Sequence, residues 1–315
     1  MTISQAAKWL SERDNFIILT HKRPDGDTLC SAGALACGLR SMGKTAYMFP
    51  NPEATDRYLN YVGKFYAPED YNPKYVVCVD TATRDMISKG ADDYAANVDL
   101  VIDHHGSNSG YGAESCVDPD AAACGEMIFS VLRDMGAVID AETASMLYIA
   151  ITTDTGCFQY TNTSSRTLEI CAELVLAGAP NGALNKEFFR TKSRGVFQCE
   201  GEVMQGIQFY HEGRTAFAFV TQEMLRRHGI IEGDLEDVAA IPGQIEGVMV
   251  SFTLKEQDEG WYKVSCRTVP AVDSNAICAR FGGGGHRCAG GCHMHGELDE
   301  VMNRLTAAAA EEMKL

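Results

Sequence analysis

The strongest constraint on the fold is a series of short apolar segments in the first half of the chain. Each of the segments 15–20, 75–79 and 100–102 contains an unbroken apolar run, which is typical of strands covered on both faces of a parallel sheet. Segments with helical character lie between and after these runs, at 28–42, 121–135, 141–152 and 164–177. Strands that alternate with helices predict an α/β domain, with a doubly wound, mainly parallel sheet and helices on both faces.

The second half has a different pattern, in which strand-like segments follow one another closely. Helices are expected at 192–206, as a connection, and near 275–281 and 300–313. Strands are expected at 215–220, 247–255 and 261–266, and the turn residues 258–260 predict a hairpin between the last two. The chain is therefore predicted to have three parts: a first domain at 1–190, a linker helix at 191–207 and a smaller α+β domain at 208–315.

The net charge of −16 over 315 residues bears on partners and location. Binding of long nucleic acid depends on Lys and Arg that neutralise phosphates, so we expect no such partner. A small anionic substrate is compatible with this charge if metal ions supply positive charge locally. No apolar segment is long enough for a membrane helix, and residues 1–10 lack the apolar core of a signal peptide. We expect a cytoplasmic protein that binds no membrane and keeps its twelve cysteines reduced.

The segment after the first apolar run carries one imidazole and two carboxylates, from His21, Asp25 and Asp27. Pro24 and Gly26 disfavour a helix here, and in an extended stretch the two Asp side chains would project to the same side. Carboxylates crowded in this way repel one another unless a cation lies among them. Oxygen and imidazole ligands together suit Mn, Fe or Zn. The alternative is a solvated turn in which an Asp caps the next helix.

Two further strands also end in residues that can bind a metal ion. Asp80 follows the second apolar run, and three such residues follow the third: Asp103, His104 and His105. Ligands of open parallel sheets bind beyond the carboxyl ends of the strands, so these strand ends together predict a metal site. Taken singly, Asp80 could cap a helix and the histidines could form a buried, hydrogen-bonded pair. Asp154 follows a helical segment and is a further candidate, with a simple helix stop as its alternative.

Four consecutive glycines at 282–285, followed by His286, form a candidate anion-binding segment in the second half. Glycines leave backbone N–H groups accessible to an anion, and His286 adds a further donor. A flexible loop is the alternative. A zinc site is disfavoured because its spacing matches no common pair of ligands; its candidate ligands would be His286, Cys288, Cys292, His293 and His295.

Taken together, these motifs resemble the DHH phosphoesterase family. Each motif is short, but their order and combination are specific, and the glycine run at 282–286 resembles the DHH-associated domain. Within the family, the chain is most similar to the stand-alone type with nanoRNase and pAp phosphatase activity. Two positions depart from the family pattern: Cys30, where Gly is common, and Gly290, where Ala is usual.

The resemblance implies a centre of two divalent metal ions, usually Mn²⁺. One ion would be held by three residues: His21, Asp25 and Asp80. The other would be held by four: Asp27, Asp80, His104 and Asp154. Asp80 would therefore be shared by both ions. The resemblance further implies that His105 faces the scissile phosphate and that Asp103 orients the histidines, so that the residues expected in catalysis are His105, Asp80 and Asp103.

The resemblance also implies roles for the two domains. Residues 1–190 would form the catalytic, metal-binding domain, and residues 208–315 would bind the substrate. The phosphate groups of the substrate would be bound by four residues of the second domain: Arg267, Gly284, Gly285 and His286. We expect the active site to lie in a cleft between the two domains.

The implied activity is hydrolysis of phosphate esters in short oligoribonucleotides and in 3′,5′-bisphosphonucleosides such as pAp, by a water that two metal ions activate. Hydrolysis of cyclic or linear dinucleotides is an alternative within the family. A family II inorganic pyrophosphatase is disfavoured by the glycine run. A non-catalytic nucleotide-binding protein is disfavoured because all the candidate metal ligands are present. The preferred substrate stays open, and so does a homodimer.

Overall fold

A computed structural model of the chain describes residues 1–235 and 237–315. These residues form two compact units, Met1–Thr191 and Lys192–Leu315. Within the described residues, every helix is too short or too polar to cross a membrane.

The first unit has short strands and longer helices. Its strands are β1 (Phe16–Leu19), β2 (Ala46–Met48), β3 (Tyr75–Val79), β4 (Leu100–Asp103) and β5 (Glu114–Val117). Its helices are α1 (Ile3–Ser11), α2 (Gly26–Ser41), α3 (Asp56–Val62), α4 (Asp92–Ala95), α5 (Cys124–Met135), α6 (Ala141–Asp154), α7 (Ser165–Leu176) and α8 (Asn181–Phe189).

The five strands form one parallel sheet in the order β2-β1-β3-β4-β5. The chain passes from β1 to one side, into β2, and then returns to the other side of β1 to form β3. The strand order therefore reverses between β1 and β3, and a crevice for ligands is expected outside the carboxyl ends of these two strands. The predicted doubly wound α/β fold is confirmed.

Both faces of this sheet are covered, which explains the unbroken apolar runs. Successive residues of a strand point to opposite faces. Phe16 and Ile18 of β1 enter the larger core, which includes residues of α1, α2, α5, α6 and α7. Ile17 and Leu19 enter a smaller core on the other face, with residues of α4 and aromatic side chains of connecting segments.

Helix α2 lies inside the larger core, and almost every residue from Gly26 to Leu39 is buried. A Cβ atom at Gly33 would lie 2.8 Å from Val62 and from Met146, so the glycine lets α2 approach α3 and α6 closely. Cys30, one of the departures from the family pattern, is fully buried in this helix.

The second unit is built on a mixed sheet. Its strands are β6 (Gln208–Tyr210), β7 (Thr215–Val220), β8 (Val250–Asp258), β9 (Trp261–Thr268), β10 (Gly284–Gly285) and β11 (Ala289–His295). Its helices are α9 (Arg194–Gln205), α10 (Gln222–His228), α11 (Ser274–Ala279) and α12 (Leu298–Met313). The strand order is β10-β11-β9-β8-β7-β6, with β7 and β8 parallel and the other neighbours antiparallel. The predicted hairpin through 258–260 is confirmed as β8–β9.

The glycine run is a packed strand in this sheet. Gly284 and Gly285 form β10 and pair with Gly291 and Gly290 of β11. A Cβ atom at Gly285 would overlap the carbonyl oxygen of Ala289, so only glycine allows this close approach. At Gly290, where the family usually has Ala, a Cβ atom would lie 3.0 Å from the Cys278 Sγ atom. The alternative of a flexible loop therefore does not describe residues 284–285.

Candidate metal centre

The sequence suggested an extended segment at Asp25 and Asp27. In the structure, Asp25 precedes helix α2 directly and Asp27 lies in its first turn. Asp25 is the N-cap residue, and its Oδ1 atom accepts a hydrogen bond of 3.1 Å from the backbone N–H of Thr28. Asp is a favoured N-cap because its carboxylate satisfies a free N–H of the first turn. The helix-capping alternative for Asp25 is thus correct, and the same Oδ1 atom also faces His21.

The start of α2 packs against the end of α6, where Asp154 lies. Gly26 allows this contact, because a Cβ atom at that position would overlap the side chain of Thr153. The pairing of β1 with β3 places His21 next to Asp80. With His104 after β4, the fold thereby brings together ligand candidates from three strand ends and two helix ends.

The first group of candidate ligands surrounds His21. Its Nε2 atom lies 3.6 Å from Asp25 Oδ1 and 3.5 Å from Asp80 Oδ2. The ligand atoms of all three residues lie within 4.8 Å of one another. Donor atoms at these separations can share one cation.

The second group surrounds His104. Its Nε2 atom lies 3.4 Å from Asp80 Oδ1, 3.3 Å from Asp154 Oδ2 and 3.8 Å from Asp27 Oδ2. Asp80 therefore contributes one oxygen to each group. This is the arrangement expected of a carboxylate shared by two ions, and it brings together all six predicted metal ligands.

The two imidazoles are oriented for metal binding. His21 Nδ1 lies 2.9 Å from the Lys22 carbonyl oxygen, and His104 Nδ1 lies 3.1 Å from that of Ala121. A carbonyl oxygen only accepts, so Nδ1 donates in both residues and Nε2 faces the carboxylates. Metal-binding histidines are commonly held by a hydrogen bond of this kind.

The Asp80 residue has two features typical of a functional site. Its backbone φ angle is 51°, in a region that costs a non-glycine residue about 1–3 kcal/mol. Its Oδ1 atom is buried and accepts no hydrogen bond from any described residue. A buried carboxylate oxygen without a donor is costly, so the donor set fits a cation at this position.

The Asp27 carboxylate is fully buried and held by donors that sequence reasoning missed. The backbone N–H groups of Cys124 and Gly125, at the start of α5, donate to its Oδ2 and Oδ1 atoms at 2.6 Å and 2.9 Å. Ser31 Oγ also donates to Oδ1, at 2.9 Å. Backbone donors carry no residue-type signal, so only the fold could reveal them.

Two linked hydrogen bonds through Asp103 orient His105. Its Nδ1 atom donates to Asp103 Oδ1 at 2.7 Å, while Asn108 Nδ2 donates to Asp103 Oδ2 at 2.6 Å. Asp103 is fully buried and is thus fixed from both sides. His105 keeps its Nε2 atom available and is only partly buried. Asn108 was not among the predicted site residues, and its position three residues after His105 is the one signal that could have indicated it.

Crowding of charge shifts the pKa values in this cluster. Burial, and then the neighbouring carboxylate of Asp80, raise the pKa of Asp27 well above its usual value. Burial lowers the pKa of His21 and His104, but the adjacent carboxylates outweigh burial and raise these values to about 11 and about 12. Burial raises the pKa of Asp80, but the adjacent imidazoles of His104 and His21 outweigh burial and lower the value. The protons on the imidazoles supply positive charge that a divalent cation would otherwise supply.

The predicted phosphate-binding residues all lie in the second unit. Arg267 is half-buried on β9, opposite Ala289 of β11, and His286 is exposed. The Gly285 N–H donates to Asn275 Oδ1 at 3.0 Å, so this donor already has a partner. The roles of Gly284 and Gly285 in phosphate binding stay predictions.

The disfavoured zinc site is not assembled. Among the described residues, the groups that could hold a metal ion all lie in the first unit. Cys292 points into the core of the second unit, whereas His293 and His295 are exposed on the other face of β11. Adjacent residues of a strand point to opposite faces, so Cys292 cannot meet His293 or His295 at one ion.

Comparison with known proteins identifies the class of this fold and site. The model of the DHH family, N-terminal domain, matches residues 15–151, and that of the DHHA1 domain matches residues 215–315. The chain belongs to the DHH family, as its motifs predicted.

Two relatives and one solved structure match nearly the whole chain. The bifunctional oligoribonuclease and PAP phosphatase NrnA of Thermus thermophilus is 31% identical over 94% of this chain and 89% of its own. The Bacillus subtilis protein of the same name is 26% identical over 98% of this chain and 99% of its own. A crystal structure of an exopolyphosphatase-related protein from Bacteroides fragilis has a TM-score of 0.88 and 26% identity, and the match covers 98% of this chain and 95% of that one. The first two names describe hydrolases of phosphoester bonds, the enzyme class that the resemblance predicted.

Proposed function

We propose that this chain is a metal-dependent phosphoesterase that hydrolyses short oligoribonucleotides and 3′,5′-bisphosphonucleosides such as pAp. The observation that carries the proposal is the convergence of six ligand candidates around Asp80, whose buried Oδ1 accepts no hydrogen bond from the described residues. The names of the Thermus and Bacillus relatives support this choice of substrates.

We propose that the two groups each hold one divalent cation, with Mn²⁺ as the ion that the family resemblance implies. His21 and Asp25 would bind one cation, Asp80 would bind both, and the other cation would be bound by Asp27, His104 and Asp154. When bound, such a pair of cations neutralises phosphoryl oxygens and lowers the pKa of a shared water.

The remaining residues of the centre position the substrate. His105 would present Nε2 to the scissile phosphate, with its Nδ1 atom held by Asp103. Residues 1–190 would serve as the catalytic domain, 191–207 as a linker helix and 208–315 as the substrate-binding domain. Arg267, His286 and the N–H groups of Gly284 and Gly285 would bind phosphate groups of the substrate, and the Gly285 N–H would exchange its Asn275 partner for phosphate. A cytoplasmic location and a homodimer stay predictions.

The test is hydrolysis by the purified protein with Mn²⁺ of four substrates side by side: pAp, an RNA of two to five nucleotides, a cyclic dinucleotide and pyrophosphate. We expect release of product from the first two, because a chain with a net charge of −16 favours short, locally bound substrates over long strands. Activity on only the cyclic dinucleotide or only pyrophosphate would overturn the substrate assignment. No activity on any of them would favour a non-catalytic nucleotide-binding protein.

Asn108 is expected to act as a positioning residue. Replacing Asn108 by Ala removes one of the two groups that hold Asp103 and should lower kcat for pAp by about 10–100-fold, the range for partners that orient a metal site. KM and the melting temperature should change little, since Asn108 is only part-buried. Steady-state kinetics measures the change, with Asn97→Ala, an exposed amide of the same unit, as the control. A rise in KM with unchanged kcat would contradict this role.

A further inference from the structure

Strands β9 and β11 share one face on which accessible side chains form a continuous strip. The strip consists of four cross-strand pairs: Arg267–Ala289, Ser265–Gly291, Lys263–His293 and Trp261–His295. Residues at the intervening positions, such as Val264 and Cys266, enter the hydrophobic core under α11 and α12. We call these eight residues the β9–β11 strip.

The charge of the β9–β11 strip differs from that of the whole chain. The strip contains Arg267, Lys263 and two histidines but no carboxylate, although the net charge of the chain is −16. Lys263 Nζ lies 3.3 Å from Glu232 Oε1 and leaves 43% of its side chain exposed. Cations on an accessible face suit a phosphate backbone.

A cavity of about 240 Å³ lies along the middle of the strip. It is lined by Lys263, Ser265, Gly291 and His293 of the strip, by Gly282 and Gly283, and by the apolar residues Val264, Phe281 and Cys292. Gly291 pairs with Ser265 across the two strands and has no side chain to fill the space beside it. The cavity therefore adjoins the glycine run and combines two cationic or titratable side chains with a hydroxyl group.

Two aromatic rings, those of Trp261 and His295, form the end of the strip opposite Arg267. The rings of Trp261 and His295 lie 4.8 Å apart at an interplanar angle of 49°, and 49% of Trp261 is exposed. Exposed aromatic side chains beside cations are the usual stacking platforms for bases of single-stranded nucleic acid. From Arg267 to Trp261 the strand spans about 20 Å at 3.4 Å per residue, so the strip extends beyond the reach of a single phosphate group.

We propose that the β9–β11 strip is a subsite for an additional nucleotide of the substrate. The phosphate of this nucleotide binds in the cavity at Lys263 and His293, and its base stacks on Trp261. The phosphate groups of the first nucleotide are bound at Arg267 and His286, as in the proposed function, on which this inference rests. The strip would thus favour oligoribonucleotides over pAp, which has only one nucleoside.

The experiment compares a triribonucleotide with pAp in Trp261→Ala and Lys263→Ala. Because stacking of one base contributes about 1–3 kcal/mol, Trp261→Ala should raise the ratio of KM for the trinucleotide to KM for pAp by about tenfold. Lys263→Ala should change the ratio in the same direction. Trp261→Phe keeps an aromatic face and should keep most of the preference. An unchanged ratio in both Ala variants would overturn the inference.

Two controls separate this inference from the proposed function. Phe197→Ala removes an aromatic side chain of α9 that is 72% exposed, and Arg226→Ala removes an exposed cation of α10; neither belongs to the strip. Binding of a labelled triribonucleotide in EDTA, followed by fluorescence polarisation, gives a readout that needs no catalysis. If the parent hydrolyses neither substrate, the proposed function fails, and weaker binding in Trp261→Ala than in Phe197→Ala still supports the subsite. Equal binding in these two variants would overturn it.

Discussion

Replacing Asp80 by Asn is expected to lower kcat/KM for pAp by at least about 10³-fold, since a metal ion contributes several kcal/mol of transition-state stabilisation and each 1.36 kcal/mol is about tenfold in rate. Asn has the same shape as Asp but lacks the charge. The NH₂ group of Asn also replaces one of the two carboxylate oxygens that face His21 and His104. Release of phosphate with Mn²⁺ present measures the effect.

The matched control for this variant is Asp134→Asn. Asp134 is exposed on α5 and accepts a hydrogen bond from Ser4 Oγ, so the same chemical change there should leave hydrolysis at the parent rate. If Asp80→Asn hydrolysed pAp as fast as the parent protein, Asp80 could not be a ligand shared by two catalytic ions.

Mn²⁺ is expected to stabilise the metal-free protein strongly. An ion at 100 times its Kd stabilises the folded state by about 2.7 kcal/mol, and each kcal/mol raises the Tm of a domain of this size by about 2–4 °C, so the expected gain is about 5–11 °C. The gain is expected because a bound cation would reduce the repulsion among the carboxylates of Asp27, Asp80 and Asp154. It would also give the buried Asp80 Oδ1 atom a partner. Differential scanning fluorimetry with Mn²⁺ or with EDTA measures it.

The stabilisation by Mn²⁺ should also depend on pH. His21 and His104 have raised pKa values in the metal-free protein, and each must lose a proton from Nε2 before that atom can bind a cation. Proton release makes metal binding tighter as the pH rises, so the gain in Tm should be larger at pH 8 than at pH 6. A gain that is the same in Asp80→Asn as in the parent would place the bound ions elsewhere.

The parallel sheet could be predicted because both of its faces are covered. Burial on both sides disfavours polar residues in β1, β3 and β4, apart from Asp103 at the end of β4, so each strand is visible as an apolar run in the sequence. The convergence of His21, Asp80 and His104 followed from the rule that strand ends of a parallel sheet share one edge. The roles of these residues as metal ligands stay predictions.

The errors and omissions have physical reasons. The start of α2 was missed because Pro24 and Gly26 suggested an extended segment, whereas the capping of Thr28 N–H by Asp25 decides the conformation. Strand β10 has two residues, and its existence depends on pairing with β11 rather than on local propensity. The N–H groups that hold Asp27 and the amide of Asn108 act through distant parts of the chain, which a local pattern does not reveal.

Whether the two groups around His21 and His104 hold metal ions is decided by the number of Mn²⁺ ions bound per chain, measured by equilibrium dialysis followed by metal analysis. We expect two ions for the parent protein, one for each group, and a reduced number for Asp80→Asn. If the parent protein binds no Mn²⁺, or if Asp80→Asn binds as many ions as the parent, the two groups are not a metal centre that shares Asp80.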